Sequence, residues 1–299
     1  MSISILRKLA MYQQHITHRN RTAVILLIDC SVSMKARTRI NNMPMAMSEV
    51  AAMVSNFIID ELIERARRND KVRNYYDIAA IGYSGDGVES LLPMAGDGFV
   101  SIDRLAEYAQ QPKTYVVEQK TPEGVPVYAH FYLHPWIEPK ATGDTPMYSA
   151  LVVVKELVEA WCNDPDNRDS FPPLVLHISN GDCSDADEAD LLDIAKGITD
   201  THTDDGNTLL VNLHLSPTNE VNDFCNIFPS EATFHSKDPD RITLFKMSSV
   251  IPKSLEPAIY DMLHQRYRGP YRAVAFNTSV CEILSIINIG SASINDFKC

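Results

Sequence analysis

The chain has 299 residues, of which 45% are hydrophobic and 22% are charged, and its 27 basic and 39 acidic side chains give a formal net charge of −12. This composition is typical of a globular protein with a sizeable core and excludes disordered, collagen-like and coiled-coil chains. Because nucleic acids and anionic membranes attract positively charged surfaces, the acidic balance argues against broad binding to either.

Neither the apolar runs nor the cysteines indicate export. Residues 23–28 form the one markedly apolar run near the amino terminus, which is too short to cross a bilayer. Asp29 follows this run where a secretion signal would have small neutral residues. The six cysteines are scattered without a C-x-x-C pair that would suggest zinc or redox chemistry. We therefore expect a cytoplasmic protein with reduced cysteines and no membrane association.

Segments with strand and helix patterns alternate along the chain. Continuous apolar runs bounded by polar residues predict buried strands, and apolar residues at helical spacing predict helices. The predicted strands are residues 23–28, 76–83, 88–92, 174–178, 209–215, 242–247 and 271–276. The predicted helices are residues 42–68, 101–110, 147–162, 187–199, 221–227 and 257–266, with a further helix in the apolar tail up to residue 293.

This alternation is typical of an α/β fold, a doubly wound and mostly parallel sheet with helices on both faces. Residues 113–139 alternate in places between polar and apolar side chains and contain turn-forming Pro and Gly, so we expect an inserted hairpin. We divide the chain into an N-terminal extension (1–21), one elaborated domain (22–265) and a C-terminal extension (266–299) packed on that domain.

Three polar clusters lie at or beside the predicted carboxyl ends of strands, where parallel sheets bind ligands. They are residues 29–33, 143–146 and 179–182. Alternate residues of an extended turn point the same way, so Asp29, Ser31 and Ser33 can direct three oxygens at one point. Thr145, on the neighbouring loop, can supply a further hydroxyl. Oxygen-only ligation suits Mg²⁺ or Mn²⁺ rather than zinc.

The ordered motifs Asp-x-Ser-x-Ser, Gly-Asp-Thr-Pro and Ser-Asn-Gly resemble those of a von Willebrand factor type A (vWA) domain over about residues 22–265. The resemblance implies a metal-ion-dependent adhesion site in which Asp29, Ser31, Ser33 and Thr145 hold a divalent cation, directly or through water. It also implies that an acidic side chain of a partner protein fills the open coordination position. Such a site binds and does not catalyse.

The third motif departs from the family pattern, because Asn180 stands where family members usually have Asp. An amide offers a carbonyl oxygen but no charge, so the site has one anion fewer unless a neighbour compensates. We therefore include Asp182 with Asn180 among the candidate metal ligands, and Asp144 is a further acid close by.

The family resemblance also suggests a partner class. Intracellular bacterial vWA proteins similar to this chain work alongside kinases, phosphatases or ATPases in stress or defence signalling, and we expect such a partner to be encoded nearby. Four aromatic residues of the predicted hairpin form a candidate interface patch, since aromatic side chains are enriched at binding hot spots. They are Tyr128, Phe131, Tyr132 and Trp136, and packing onto the domain is their alternative role.

Two other functions stay open as alternatives. A strand-end Asp29 is the nucleophile that a Mg²⁺-dependent phosphatase would use, although Ser31 stands where that mechanism needs a second carboxylate. Residues 82–86 resemble a hydrolase nucleophile elbow, but Asp86 replaces its second Gly. A scaffold with a vestigial metal site is the other alternative, motivated by Asn180. We expect no catalysis, because each enzyme mechanism lacks a required group.

Several polar residues near these clusters are predicted to be structural. His177 interrupts an apolar strand and is expected to be a hydrogen-bonded core residue. Asp185, Asp187 and Glu188 precede or begin the helix predicted at 187–199, where acidic side chains favour the helix dipole and cap the first turn.

Overall fold

The computed structural model describes residues 11–40, 43–96, 98–120, 126–217, 226–257, 259 and 269–276. Its main sheet has eight strands: β1 (Thr22–Asp29), β2 (Tyr76–Ser84), β3 (Gly87–Ser90), β4 (Val100–Ser101), β5 (Leu174–Ser179), β6 (Leu209–His214), β7 (Asn226–Ile227) and β8 (Val274–Phe276). The α-helices in this part of the chain are α1 (Met47–Ala66), α2 (Ile102–Ala106), α3 (Met147–Asn163), α4 (Glu188–Asp200) and α5 (Pro239–Met247).

Short two-stranded ribbons and single 3₁₀ turns complete the described elements. The ribbons pair Arg37–Ile40 with Met43–Ala46, Arg67–Arg68 with Lys71–Val72, Lys113–Lys120 with Pro126–Leu133, and His202–Thr203 with Gly206–Asn207. The 3₁₀ turns are Val32–Lys35, Pro93–Ala95 and Pro165–Asn167.

The strands are ordered β7-β8-β6-β5-β1-β2-β3, and β4 pairs with β2. The five central strands, from β8 to β2, are parallel to one another, whereas β3, β4 and β7 pair in the antiparallel sense at the two sides. This topology confirms the predicted α/β, doubly wound and mostly parallel sheet. It also brings the carboxyl ends of the parallel strands to one edge, where ligand sites form in such folds.

Successive side chains of a strand point to opposite faces of the sheet, and each face has its own apolar core. On the first, which we call the α1 face, Leu26 and Ile28 of β1 belong to the same buried cluster as Val50 of α1. On the second, the α3 face, Ile25 and Leu27 belong to a cluster that also contains residues of α3, α4 and α5. Helices therefore cover both faces, as the βαβ alternation predicts.

The strand predicted over residues 242–247 is wrong, because these residues lie in α5. Asp238 caps this helix by accepting hydrogen bonds from the backbone N–H groups of Asp240 and Arg241, and Pro239 occupies the first turn. The outer parallel strand is β8 instead, which falls within the strand predicted over residues 271–276.

Two of the predicted helices also need correction. The helix predicted from residue 42 begins only at Met47, because Met43–Ala46 pair as a strand. Residues 226–227, predicted as helical, form β7, and the rest of the segment from 221 lies outside the described residues. Most of the helix predicted at 257–266 and the whole tail helix also lie outside them.

The inserted hairpin is confirmed as the antiparallel pair Lys113–Lys120 and Pro126–Leu133. Asp60 on α1 anchors its base, accepting hydrogen bonds from the His134 backbone N–H at 2.9 Å and from Trp136 Nε1 at 2.8 Å. Trp136 is thus tied to the domain, whereas Tyr132 is 66% exposed.

Candidate metal site

The three polar clusters predicted from sequence lie next to one another at the carboxyl edge of the sheet. The Val32 N–H donates to the Gly143 carbonyl at 2.9 Å, and the Thr142 N–H donates to the Cys30 carbonyl at 2.8 Å, so the first two loops lie side by side. The Ser184 N–H donates to the Thr145 carbonyl at 2.9 Å, which joins the second loop to the third. Backbone hydrogen bonds therefore fix the relative positions of all three loops.

Two glycines allow the loops to approach this closely. Gly143 has a φ of +60°, a conformation that favours glycine, and a Cβ there would lie 2.5 Å from the Gly85 Cα. A Cβ on Gly85 would in turn lie 2.7 Å from the Gly143 Cα. The loop after β2 and the Gly-Asp-Thr-Pro loop therefore pack backbone against backbone.

Asp29, the last residue of β1, is fully buried. Its Oδ1 accepts a hydrogen bond from the Ser31 N–H at 2.8 Å, whereas its Oδ2 has no hydrogen-bond partner within the described part of the chain. Burial raises the pKa of Asp29 to about 6; the hydrogen bonds from Ser31 oppose this shift and the charge of Asp182 adds to it. A buried carboxylate oxygen without a donor fits a cation ligand, because such a group is otherwise costly to bury.

The other predicted ligands surround this carboxylate in a connected cluster. The Ser31 and Ser33 hydroxyl oxygens are 2.9 Å apart. The Asn180 Nδ2 donates to the Ser33 hydroxyl at 3.0 Å and to an Asp182 carboxylate oxygen at 2.8 Å. The loop after β1 and the loop after β5 are thus linked, and five of the predicted ligands lie together there. They are Asp29, Ser31, Ser33, Asn180 and Asp182.

Thr145 lies on the adjoining loop and is buried. Among the described residues, its side chain makes no hydrogen bond to the serine pair or to Asp29, although its loop contacts theirs through Val32 and Gly143. The structure therefore places Thr145 beside the cluster but not within its hydrogen-bond network.

The donor set consists of carboxylates, hydroxyls and an amide, all of them ligands of hard cations. Within the described ranges, no three His, Cys, Asp or Glu side chains lie close enough together to hold a metal ion. A cation at this site would therefore depend on serine and threonine oxygens beside a single buried carboxylate. The residues present fit Mg²⁺ or Mn²⁺ better than zinc.

Two of the acidic residues after β5, Asp185 and Asp187, are helix caps, but they cap different helices. Glu188 instead pairs with Lys246 at 2.7 Å. Asp187 accepts from the Asp190 N–H and caps α4, as expected. Asp185 instead caps α3, because its carboxylate accepts from the backbone N–H groups of Tyr148 and Ser149 at 3.0 and 2.9 Å. Burial raises the pKa of Asp185, but these hydrogen bonds outweigh it and lower the pKa overall.

A row of buried hydrogen bonds runs across the α3 face near the cluster, and we call it the buried polar row. His177 Nε2 lies 2.8 Å from the Tyr83 hydroxyl, and its Nδ1 lies 2.8 Å from the Asn212 Oδ1. The Asn212 Nδ2 donates to the Ser248 hydroxyl at 2.8 Å. Burial lowers the pKa of His177 to about 4, so the ring is neutral near pH 7. The predicted core role of His177 is confirmed, whereas its partners were not predicted.

No protein-family model matches the sequence, and no curated protein matches it. Among solved structures, the chain is similar to a von Willebrand factor type A protein from Catenulispora acidiphila, with 15% identity and a TM-score of 0.40 over 65% of this chain. The matched part is 33% of that protein, so the chain spans about a third of its length.

Two further solved structures are similar to the chain. An aerotolerance-related membrane protein from Bacteroides fragilis shares 13% identity over 76% of this chain and 86% of its own, with a TM-score of 0.36. A protein from Vibrio fischeri named as membrane spanning shares 12% identity over 82% of this chain and 98% of its own, with a TM-score of 0.27. In the described part of this chain, no helix has the length and apolarity needed to cross a bilayer. At these TM-scores the likenesses say nothing about function, and the fold class rests on the sheet topology.

Proposed function

We propose that this chain is a vWA-type protein-interaction module that holds Mg²⁺ or Mn²⁺ at Asp29, Ser31, Ser33 and Thr145, and binds an acidic side chain of a partner protein there. Asn180 or Asp182 completes the ligand set in this proposal. The observation that carries it is the buried Asp29 Oδ2, which has no donor among the described residues and lies beside the linked serine pair. When bound, the cation would supply an open coordination position for the partner's carboxylate.

The residues of the site are suited to a weakly neutralised cation. The Ser31 N–H holds Asp29 Oδ1 and so fixes the orientation of the carboxylate. The serine and threonine hydroxyls donate lone pairs without adding charge. Asp182, which is exposed, is the nearest second acid. Because the site contributes so little negative charge, a bound cation would keep a net positive charge. That charge would attract a partner's carboxylate.

The cellular role is part of the same proposal and rests on the family resemblance. We place the protein in the bacterial cytoplasm, in stress or defence signalling, with a kinase, phosphatase or ATPase as its partner. The exposed Tyr132 on the hairpin is our candidate for a residue that adds specificity outside the metal site.

A scaffold with a vestigial site is the second candidate function, and one observation favours it. The Asn180 amide links Ser33 to Asp182 through its two donated hydrogen bonds. The bond to Ser33 joins the loop after β1 directly to the loop after β5. In this alternative the loops would present a fixed binding surface that needs no metal.

An array of acidic peptides tests the proposed function. Each peptide is paired with a copy in which Glu is replaced by Gln, and the array is incubated with the full chain in Mg²⁺ or in excess chelator. We expect binding that requires Mg²⁺, the Glu and Asp29, so that it is lost in Asp29→Ala. The matched control is Asp193→Ala, which removes an exposed acid from α4 and should bind like the wild type.

Two results would contradict the metal-bridged mechanism, one from this array and one from a separate hydrolysis assay. Peptide binding that persists in chelator and in Asp29→Ala would favour the scaffold. Hydrolysis of a phosphate ester with Mg²⁺ that disappears in Asp29→Asn would favour a phosphatase. Loss of binding in Asp29→Ala together with loss of its circular dichroism spectrum would indicate a folding defect and would require Asp29→Asn instead.

A further inference from the structure

A cavity beside α5 forms a second polar site, and none of the candidate metal ligands lines it. Its volume is about 990 Å³, and its walls are α5, the segment before it and Arg272. Four basic and two acidic side chains line it: Lys237, Arg241, Lys246, Arg272, Glu231 and Asp238. A mostly basic cavity is unexpected on a chain with a net charge of −12.

Arg241 is the unusual member of this group, because it is buried and has no counterion among the described residues. It is only 7% exposed, and its Nε has no hydrogen-bond acceptor in the part of the chain that the structure describes. Two of the other three cations are paired, Lys246 with Glu188 at 2.7 Å and Arg272 with Glu231 at 3.5 Å.

Asp238, the acidic residue that precedes α5 and lines the cavity, is already engaged by the helix. The Asp238 carboxylate accepts hydrogen bonds from backbone N–H groups at the start of α5, and it forms no ion pair with Arg241 among the described residues. A buried cation without a counterion is unfavourable. The charge of Arg241 is thus uncompensated within the described structure.

One aromatic ring contacts the Arg241 guanidinium, and two others form part of the cavity wall. Its Cζ lies 4.6 Å from the centre of the Phe276 ring, a cation–π contact. Phe234 stacks on Phe245 with ring centres 4.1 Å apart, and both rings line the cavity. A guanidinium group that contacts a ring through its flat face still has the N–H groups at its edge available. These N–H groups can bind the oxygens of a carboxylate or a phosphate.

We propose that this cavity binds a small anionic ligand whose phosphate or carboxylate pairs with Arg241 and whose flat apolar part lies against Phe234 and Phe245. The anion supplies the counterion that Arg241 lacks, and the rings supply apolar contact. Concave sites that combine an apolar wall with a few convergent polar groups are the usual form of small-ligand sites. Binding there needs no divalent cation.

Calorimetric titration of the full chain in chelator tests this proposal. The probes are phenyl phosphate, benzoate and benzyl alcohol at constant ionic strength. We expect one of the two acids to bind and the alcohol not to bind, and the tighter acid identifies the head group. Arg241→Met should weaken that binding by about tenfold or more, since it removes a charge-assisted hydrogen-bond donor. Arg241→Lys keeps the positive charge but loses the paired N–H donors of the guanidinium. Its affinity for the acid should lie between those of the wild type and Arg241→Met.

The controls separate this site from the metal site. Lys253→Met removes an exposed cation outside the cavity, and Asp29→Ala removes the central metal ligand; both should bind the acid like the wild type. If neither acid binds at millimolar concentration, the proposal is overturned. Unchanged binding in both folded Arg241 variants would overturn it as well. Because chelator is present throughout, neither result bears on the proposed metal-dependent function.

Discussion

The two faces of the central sheet differ sharply in polarity, although both are buried. On the α1 face, most inward side chains of the parallel strands are apolar: Val24, Leu26, Ile28, Ile78, Ala80, Leu174, Leu176, Ile178, Leu209, Val211 and Leu213. On the α3 face, buried polar side chains gather toward the carboxyl ends of the strands: Asp29, Tyr83, His177, Ser179, Asn212 and His214. Asp77, near the start of β2, is buried on this face as well and accepts a hydrogen bond from Trp161 Nε1 at 3.0 Å. Buried polar side chains are thus concentrated in the carboxyl half of the α3 face.

This difference shows how an apolar sheet accommodates a polar site. His177 and Asn212 are register partners on β5 and β6, so their side chains meet and satisfy each other. The carboxyl half of the α3 face adjoins the site loops, where Asp29 ends β1. We infer that the α1 face supplies stability independent of pH, whereas the α3 face makes stability depend on protonation. The predictions below test that contrast.

Leu26→Ala on the α1 face should have the largest effect. Leu26 is fully buried, and truncating a buried Leu typically costs about 3 kcal/mol, from lost burial and the cavity left behind. Urea unfolding at pH 7 and at pH 5 should give the same loss in the free energy of unfolding. A loss below about 1 kcal/mol, or one that changes with pH, would contradict the assignment of this face.

Gly143→Ala should have the next largest effect, because the added Cβ would lie 2.5 Å from the Gly85 Cα. We expect a loss of about 2 kcal/mol, from this clash and from the positive φ. Gly96→Ala is the matched control, since Gly96 has a φ of +59° but no atom within 4 Å of its added Cβ. Equal losses in the two variants would show that the loops do not need this close approach.

His177→Gln should reduce the dependence of stability on pH. The folded-state pKa of His177 is lowered from 6.5 to about 4, so the unfolded chain binds its proton first as the pH falls. Stability is therefore complete above pH 6.5 and is lost as the pH falls toward 4. Between pH 7 and pH 5 the wild type should lose about 2 kcal/mol more than the variant.

The control for this titration is His202→Gln, which replaces an exposed histidine. Urea unfolding at several pH values gives the free energy of unfolding as a function of pH. The slope of this dependence should be the same in the control as in the wild type. A slope in His177→Gln that matches the wild type would refute the contribution of the buried polar row to pH dependence.

Asp185→Ala should have the smallest effect. It removes the cap of α3, and losing a helix cap costs about 1 kcal/mol. Asp193→Ala, at an exposed position on α4, should change the free energy of unfolding by less than about 0.5 kcal/mol. If thermal and urea unfolding do not separate the two variants, Asp185 does not stabilise the start of α3.

The parallel core of the sheet and the position of the three site loops at its carboxyl edge could be predicted from the sequence alone. It failed at α5, where the apolar residues from 242 suggested a strand although Asp238 and Pro239 form a helix-start signal. The hydrogen bonds of His177 could not be predicted, because its partners are far away in sequence. Asn212 is 35 residues and Tyr83 is 94 residues from His177, and only the register of the sheet brings them together. The cap that Asp185 provides to α3 is likewise a tertiary contact.

Titration of Mn²⁺ into the chain, followed by calorimetry and electron paramagnetic resonance, tests the proposed metal site most directly. We expect one bound ion per wild-type chain and none at this site in Asp29→Ala. Asn180→Asp adds a carboxylate beside Ser33 and should tighten binding by about tenfold. No Mn²⁺ binding by the wild type at millimolar concentration, or equal binding by folded Asp29→Ala, would contradict the central claim.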